Sequence, residues 1–259
     1  MNPTLCNIHP KAKIGNNVTI ESFVTISADV AIGDGTWIGP NVVIMDGARI
    51  GKNCKIFPGA VIAGIPQDLK FKGEETTVEI GDYTTIREYC TVNRGTAAKG
   101  KTIVGNNCLL QSYSHVAHDC LLKDQVILGS FAGLAGEVEI DDWAIVSPYT
   151  AVHQFTKIGK HVFIAGASLV RKDIPPFVLV ANNPLAYTGV NSVGLRRRGY
   201  TIEQVNEIQN IYRYIYQKGL NNTQALQAIL DETETSPERE EILQFIRLSE
   251  RGIVRGLQD

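Results

Sequence analysis

The chain repeats itself every six residues. Counting from Ile14, each sixth residue is aliphatic for nine positions to Ile62, for three more from Ile80 to Val92, and for twelve from Val104 to Val170. All of them share one phase. A fixed internal period of this kind marks a solenoid, in which each unit buries its apolar side only by stacking on the next. The residue after the aliphatic is often glycine (Gly15, Gly33, Gly51, Gly81, Gly105, Gly129, Gly159), and the fourth after it is often small (Val24, Ala48, Cys90, Ala132, Ser168). The spacing predicts a short strand, a turn and another short strand, with the aliphatic side chain inward and the small residue beneath a corner. Three hexads make a triangular coil, and such coils stack by parallel pairing about 4.8 Å apart. The fold class expected is mainly β, a parallel β-helix of hexapeptide repeats. A high glycine count of 24 and only 7% aromatic residues agree with a turn-rich, narrow core.

The repeat breaks twice, across 66–77 and 93–103. Both stretches are polar and contain glycine, so they read as loops thrown out from the coil, and loops on a rigid scaffold commonly carry function. The hexad stops at Ile174-Pro175-Pro176, because proline cannot continue a ladder. From about Asn191 the pattern turns helical. Thr201 and Gln204 form a capping box, Gly219 stops that helix, Asn222 or Thr223 caps a second helix through Leu230, and Ser236-Pro237 opens a third. The expected division is a β-helix domain over 1–190 and a C-terminal α-helical domain over 191–259.

Charge excludes some classes. Lys and Arg number 25 against 27 Asp and Glu, a net −2, whereas a nucleic-acid binder would usually be basic. No apolar run approaches the roughly 18 residues of a spanning helix, so no membrane insertion is expected. The opening Met1-Asn2-Pro3-Thr4-Leu5-Cys6 has no basic and apolar signal-peptide pattern. The five cysteines (Cys6, Cys54, Cys90, Cys108, Cys120) form no CxxC pair, and the last four fall on small corner positions, where a thiol serves as a small hydrophobe. A reduced, cytoplasmic protein is expected.

Chemistry concentrates in Gln111-Ser112-Tyr113-Ser114-His115-Val116-Ala117-His118-Asp119-Cys120. His118 follows the inward Val116 by two residues, so its ring should face outward at a turn. A lone corner histidine reads as a surface residue. Stacking changes that. His118, Gly136 and Gln154 are 18 apart in succession, Asp119 stacks on Glu137, and His153 lies beside Gln154. One ridge thus carries an imidazole, an adjacent carboxylate to orient it, and a bare glycine whose N–H could serve as an oxyanion donor. No P-loop, GxSxG or HExxH pattern is present. His115 and His118 fall on different sides of a strand–turn step and need not converge on a metal.

These motifs resemble a known family, the acyl-carrier-protein-dependent UDP-N-acetylglucosamine O-acyltransferases that start lipid A biosynthesis. The resemblance rests on Gln67-Asp68-Leu69-Lys70, Val78-Glu79-Ile80-Gly81-Asp82, Asn93-Arg94-Gly95-Thr96, His115 to Cys120, Thr150-Ala151-Val152-His153-Gln154-Phe155 and Gly194-Leu195-Arg196-Arg197-Arg198-Gly199-Tyr200. It implies a left-handed winding and a homotrimer with active sites in clefts between neighbouring β-helices. The implied donor is an (R)-3-hydroxyacyl-acyl carrier protein, and the implied acceptor is the glucosamine 3-hydroxyl of UDP-N-acetylglucosamine. By the family pattern His118 is the general base, Asp119 orients it, and the Gly136 N–H stabilises the oxyanion. Asp68, Lys70, His115, His153 and Gln154 fall to the sugar or acyl part, Gly166 to the acyl groove, and Asn191, Arg197 and Arg198 to the nucleotide. No metal, cofactor or covalent acyl-enzyme is implied. Glu137, Asn93 and Val193 depart from the family pattern, which more often has histidine at the first two positions and an acid at the third. Two other readings of the repeat stand beside this one: a metal-dependent hydratase of the γ-class carbonic anhydrase type, and a non-enzymatic scaffold. Neither accounts for the helical tail or Gln67-Asp68-Leu69-Lys70.

Overall fold

A computed structural model describes residues 5–257; Met1–Thr4, part of the N-terminal stretch read above, and Gln258–Asp259 lie outside the described residues. Two-residue strands wind into a three-faced prism. Face A has nine strands from Asn7–Ile8 to Leu169–Val170, face B eight from Lys13–Ile14 to Lys157–Ile158, and face C ten, beginning with Thr19–Ile20. Pairing between coils is parallel on all three faces, with residues 18 apart opposite each other in the unbroken stretches, as in Asn7↔Thr25 and His115↔Gly133; the last strand of face C, Ala186–Val190, runs antiparallel. At the two breaks the register lengthens to Val61↔Thr91 and then Thr91↔His115, so the insertions add 12 and 6 residues. Both are whole hexads, which is why the aliphatic phase survives them.

The inward aliphatics form one column of core. From Ile20 to Val170 every residue of the phase is buried; Ile14, in the first coil, is half-buried because only one neighbouring coil covers it. The corners turn through left-handed backbone, and that residue is usually not glycine: positive φ recurs at every sixth residue from Asn107 to Ala167, including Asp119 at 60° and Glu137 at 59°. The glycines after the aliphatics serve a different purpose from the turn expected of them. A Cβ on Gly81 would lie 2.6 Å from the Gly105 carbonyl carbon, and one on Gly129 would lie 2.3 Å from the Pro148 nitrogen. Close approach of successive coils excludes a side chain there.

The last coil closes with Val178–Ala181 pairing parallel to Phe163–Ile164, and Ala186–Val190 then folds back antiparallel. Four helices follow: α1 (Ser192–Arg197), α2 (Ile202–Tyr216), α3 (Asn222–Glu232) and α4 (Pro237–Arg247). α2 carries the Thr201/Gln204 capping box. α3 is capped by Asn221, one residue earlier than expected, because its amide reaches the Gln224 N–H and Gln224 answers with a second capping box. Ser236 caps α4 and Pro237 opens it. The helices seat on the open end of the prism: Tyr212, fully buried, donates its hydroxyl to the Pro176 carbonyl at 2.5 Å. The buried Asp173 accepts from the Lys157 N–H and the Ser249 hydroxyl, tying the last coil to the C-terminal segment.

Candidate active site

Both insertions leave the prism at the corner between faces A and B, in successive coils. The loop carrying Asp68 and Lys70 runs from the face A strand Val61–Gly64 to the face B strand Thr77–Ile80, and the second runs from Thr91–Asn93 to Lys101–Val104. The next coil places His118 and Asp119 at the same corner, between His115–Val116 and Leu121–Leu122. The imidazole does face outward from the prism, as its turn position requires. It is nevertheless only 8% exposed, because the two loops fold over it.

His118 Nδ1 lies 2.8 Å from Asp119 Oδ2. The Asp119 carboxylate, 1% exposed, also takes the Thr96 N–H at 3.0 Å, the Thr96 hydroxyl at 2.6 Å and the Lys99 N–H at 3.3 Å. A carboxyl among so many donors is an acceptor, so Nδ1 carries the imidazole proton. Nε2 is then the free lone pair. Its nearest carboxylate is Asp68 Oδ2 at 3.9 Å, beyond hydrogen-bond range. Gly136 lies directly against this ring: a Cβ there would fall 2.5 Å from both His118 Cε1 and Nε2. The Gly136 N–H makes no hydrogen bond among the described residues, while its carbonyl accepts from Phe155 N. A proton acceptor and an uncommitted donor thus adjoin one gap.

The first loop is anchored from the second. Asn93, buried, donates to the Ile65 carbonyl at 3.1 Å, and its Oδ1 is left without a partner. Arg94 lies over the Phe71 ring at 5.5 Å. Asp68 accepts from the Lys70 N–H at 2.9 Å, and the exposed Lys70 side chain makes no polar contact among the described residues. His115 stands on face A with Nδ1 2.7 Å from Thr91 Oγ1, and burial lowers its pKa, which favours the neutral ring. It shares no ligand with His118, and among the described residues no group of three or more His, Cys, Asp or Glu is placed to hold a metal ion. His153 and Gln154 lie further up the same corner. His153 Nδ1 is 3.2 Å from Arg251 Nη2 and 3.1 Å from the Gln154 carbonyl, and one tautomer satisfies only one of these.

The remaining expected residues lie elsewhere. Gly166 is at the corner between faces C and A. Asn191 and Arg198 gather at the corner between B and C around His161: Asn191 donates to the His161 carbonyl at 2.9 Å, Arg198 Nη1 is 3.3 Å from His161 Nδ1, and its guanidinium lies over Trp143 at 5.0 Å. His161, 4% exposed, is held down to about 4, by burial first and by Arg198 and Lys160 next. Arg197 is exposed on α1. No single chain brings the three corners together. All five cysteines are free and four are buried, with burial pushing the Cys108 thiol up to about 11 and Cys120 to about 12; these are inert packing thiols. A cavity of about 610 Å³ at the end of the coil is lined by Leu169, Lys172, Pro184 and Leu257 and includes none of the His118 cluster.

Thr96, Lys99, Thr91 and Arg251 were not among the expected site residues. For Thr96 the signal was present. Adding the six-residue insertion to the 18-residue coil step sets Asp119 over the Gly95–Thr96 turn.

Known proteins resemble this chain in sequence and fold. The family described as UDP N-acetylglucosamine O-acyltransferase, domain 2, matches residues 173–254, and the bacterial transferase hexapeptide family matches residues 29–64. An acyl-[acyl-carrier-protein]–UDP-N-acetylglucosamine O-acyltransferase from Aliivibrio fischeri is 45% identical over 96% of this chain and 100% of its own length. One from Xylella fastidiosa is 42% identical over 98% and 100%. The crystal structure of the UDP-N-acetylglucosamine acyltransferase LpxA from Bacteroides fragilis superposes with a TM-score of 0.97 at 54% identity, covering 98% of this chain and 100% of that one. A match this close requires the same hand, so the prism is a left-handed β-helix.

Proposed function

The chain belongs to the acyl-[acyl-carrier-protein]–UDP-N-acetylglucosamine O-acyltransferases, and on that footing we propose how its residues carry out the transfer. The sugar 3-hydroxyl lies in the gap beside His118 Nε2. Its oxygen attacks the thioester carbonyl of the (R)-3-hydroxyacyl-carrier protein while Nε2 takes its proton. The new C–O bond forms a tetrahedral intermediate whose oxyanion meets the Gly136 N–H. The C–S bond then breaks, and the imidazolium returns the proton to the leaving thiolate. Asp119 fixes the tautomer throughout and stabilises the transient cation. The base is worth about 10²–10⁴-fold and the oxyanion donor about 10²–10³-fold. Asp68, 3.9 Å from Nε2, is placed to accept from a second sugar hydroxyl. Lys70, His115, His153 and Gln154 line the approach, and the reaction begins lipid A assembly in the cytoplasm.

The observation that carries this reading is the His118–Asp119 pair with Nε2 free and Gly136 pressed against it. Replacing His118 with alanine removes the base, so turnover of UDP-N-acetylglucosamine with hydroxyacyl-carrier protein drops at least a hundredfold; a variant within tenfold of wild type overturns the assignment.

A closed trimer completes the site. Outward on face C stand Leu109, Ile127, Ile145 and Phe163 in four successive coils. Beside them Tyr89, Tyr113, Phe131 and Tyr149 stack with centroids 4.9–5.2 Å apart, each about half exposed or more. So large an apolar stripe marks a protein interface, and cyclic homo-oligomers are the common solution. A neighbouring copy would then bring its Gly166 corner, or its Asn191, Arg197 and Arg198, up to the His118 corner, supplying the acyl groove and the nucleotide contacts that one chain keeps apart.

A further inference from the structure

We propose that Thr96 is a positioning residue for this reaction, acting on His118 through Asp119; the proposal rests on His118 being the base. Asp119 is buried, and both of its oxygens are occupied. The Thr96 N–H is shared between Oδ1 at 3.0 Å and Oδ2 at 3.1 Å; Oδ1 also accepts the Lys99 N–H at 3.3 Å, and Oδ2 the Thr96 hydroxyl at 2.6 Å and the His118 ring at 2.8 Å. Thr96 Oγ1 also receives the Ala98 N–H at 3.2 Å. That oxygen accepts from Ala98, and its 2.6 Å contact to a carboxylate oxygen, which has no proton to give, commits its own proton to Asp119. Thr96 therefore grips both oxygens, its amide shared between them and its hydroxyl on Oδ2. Hydrogen bonds to an ionised acceptor are the strong ones, and two of them from one residue fix the plane of the carboxylate. With the plane fixed, Oδ2 meets Nδ1 from one direction, which sets the orientation of the imidazole.

The loop that presents Thr96 is itself held. The Thr76 hydroxyl donates to the Gly95 carbonyl at 2.6 Å, Lys99 Nζ pairs with Glu139 at 2.9 Å, and the Asp119 N–H donates to Thr102 Oγ1 at 2.8 Å. Gly95 admits no side chain: a Cβ would stand 2.2 Å from the Lys101 nitrogen. The loop at 93–103, six residues more than an ordinary coil needs, thus delivers a turn of donors to the one carboxylate that touches the base. Nothing else in the coil supplies them, since the ordinary corners elsewhere on the ridge lack this loop.

The test is a double-variant cycle with Thr96→Val, Asp119→Asn and both together, assayed for kcat and both KM values with UDP-N-acetylglucosamine and hydroxyacyl-carrier protein. Thr96→Val keeps the shape and loses the hydroxyl. We expect kcat to drop about tenfold to a hundredfold with each KM within about twofold, Thr96→Ser to restore most of it, and Thr96→Val to cost less than about threefold in the Asp119→Asn background, because residues acting through one another are not additive. Full additivity, a loss confined to KM, or failure of Thr96→Ser to rescue overturns the proposal. His118→Ala run in parallel separates the two readings. If it is inactive while the cycle is additive, only the role of Thr96 is wrong; if it is active, both are.

Discussion

Substituting Gly136 with alanine isolates the geometry of the base from its chemistry. The new methyl would begin 2.5 Å from His118 Cε1 and Nε2, and ordinary contact starts near 3.4 Å. The ring must therefore retreat by about 0.9 Å. It cannot retreat with its partner, because Asp119 is pinned by Thr96 and Lys99. Either the 2.8 Å bond to Asp119 stretches past hydrogen-bond length or the ring swings Nε2 away from the gap. A displacement near 1 Å costs about 10²-fold in rate, or roughly 2.7 kcal/mol of transition-state stabilisation. The backbone at Gly136 is not left-handed, so alanine is tolerated there and the fold should survive. The expected result is a hundredfold loss in kcat with a fall of only a few degrees in Tm. Gly256→Ala, whose nearest neighbour would be Tyr216 at 3.4 Å, controls for glycine replacement in general. Steady-state turnover and thermal unfolding of the same preparations decide it. A Gly136→Ala enzyme within threefold of wild type refutes the idea that the ring has no room to move.

Acid should weaken the fold through His161. Its pKa is depressed to about 4 from 6.5, so its stabilising effect is full above pH 6.5 and is lost as pH falls toward 4. The slope is about 1.4 kcal/mol per pH unit, near 2 kcal/mol by pH 5, and His161→Gln should flatten the fall in Tm between pH 7 and 5; parallel curves for the two proteins contradict this. Placing glutamate at Phe131 and Ile127 should split the assembly, read as a fall from trimer to monomer mass in sedimentation with activity lost. A trimer that persists disproves the stripe as interface, and a fully active monomer disproves that a second copy completes the site. The acyl-groove reading of Gly166 predicts that donors compared from C10 to C16 favour the longer chains; a preference for C10 or shorter discards it.

The winding was legible because one rule, an inward aliphatic at every sixth residue, serves all three faces. The corner shared by His118, Gly136 and Gln154 followed from simple stacking. What stayed hidden was the covering of His118. A ring at a turn reads as exposed, and only the paths of two irregular loops bury it. The cap of α3 was misplaced by one residue for a similar reason, since Asn221 and Asn222 differ only in which side chain reaches the Gln224 N–H. The separation of Gly166 from His118 was implicit in the hexad count, since eight hexads end two corners round, whereas Asn191 and Arg198 lie beyond the last hexad and no count places them.

The two insertions add whole hexads, yet both are expelled as loops, and this sets the unit by which such a chain can change length. A hexad gained or lost inside the winding would leave every aliphatic buried and every strand paired. It would also turn everything beyond it by one face, carrying Gly136 or the Thr96 loop to a corner where His118 is not. Packing therefore tolerates drift in steps of six residues, whereas catalysis tolerates it only in steps of 18 or where the extra chain is thrown clear of the prism.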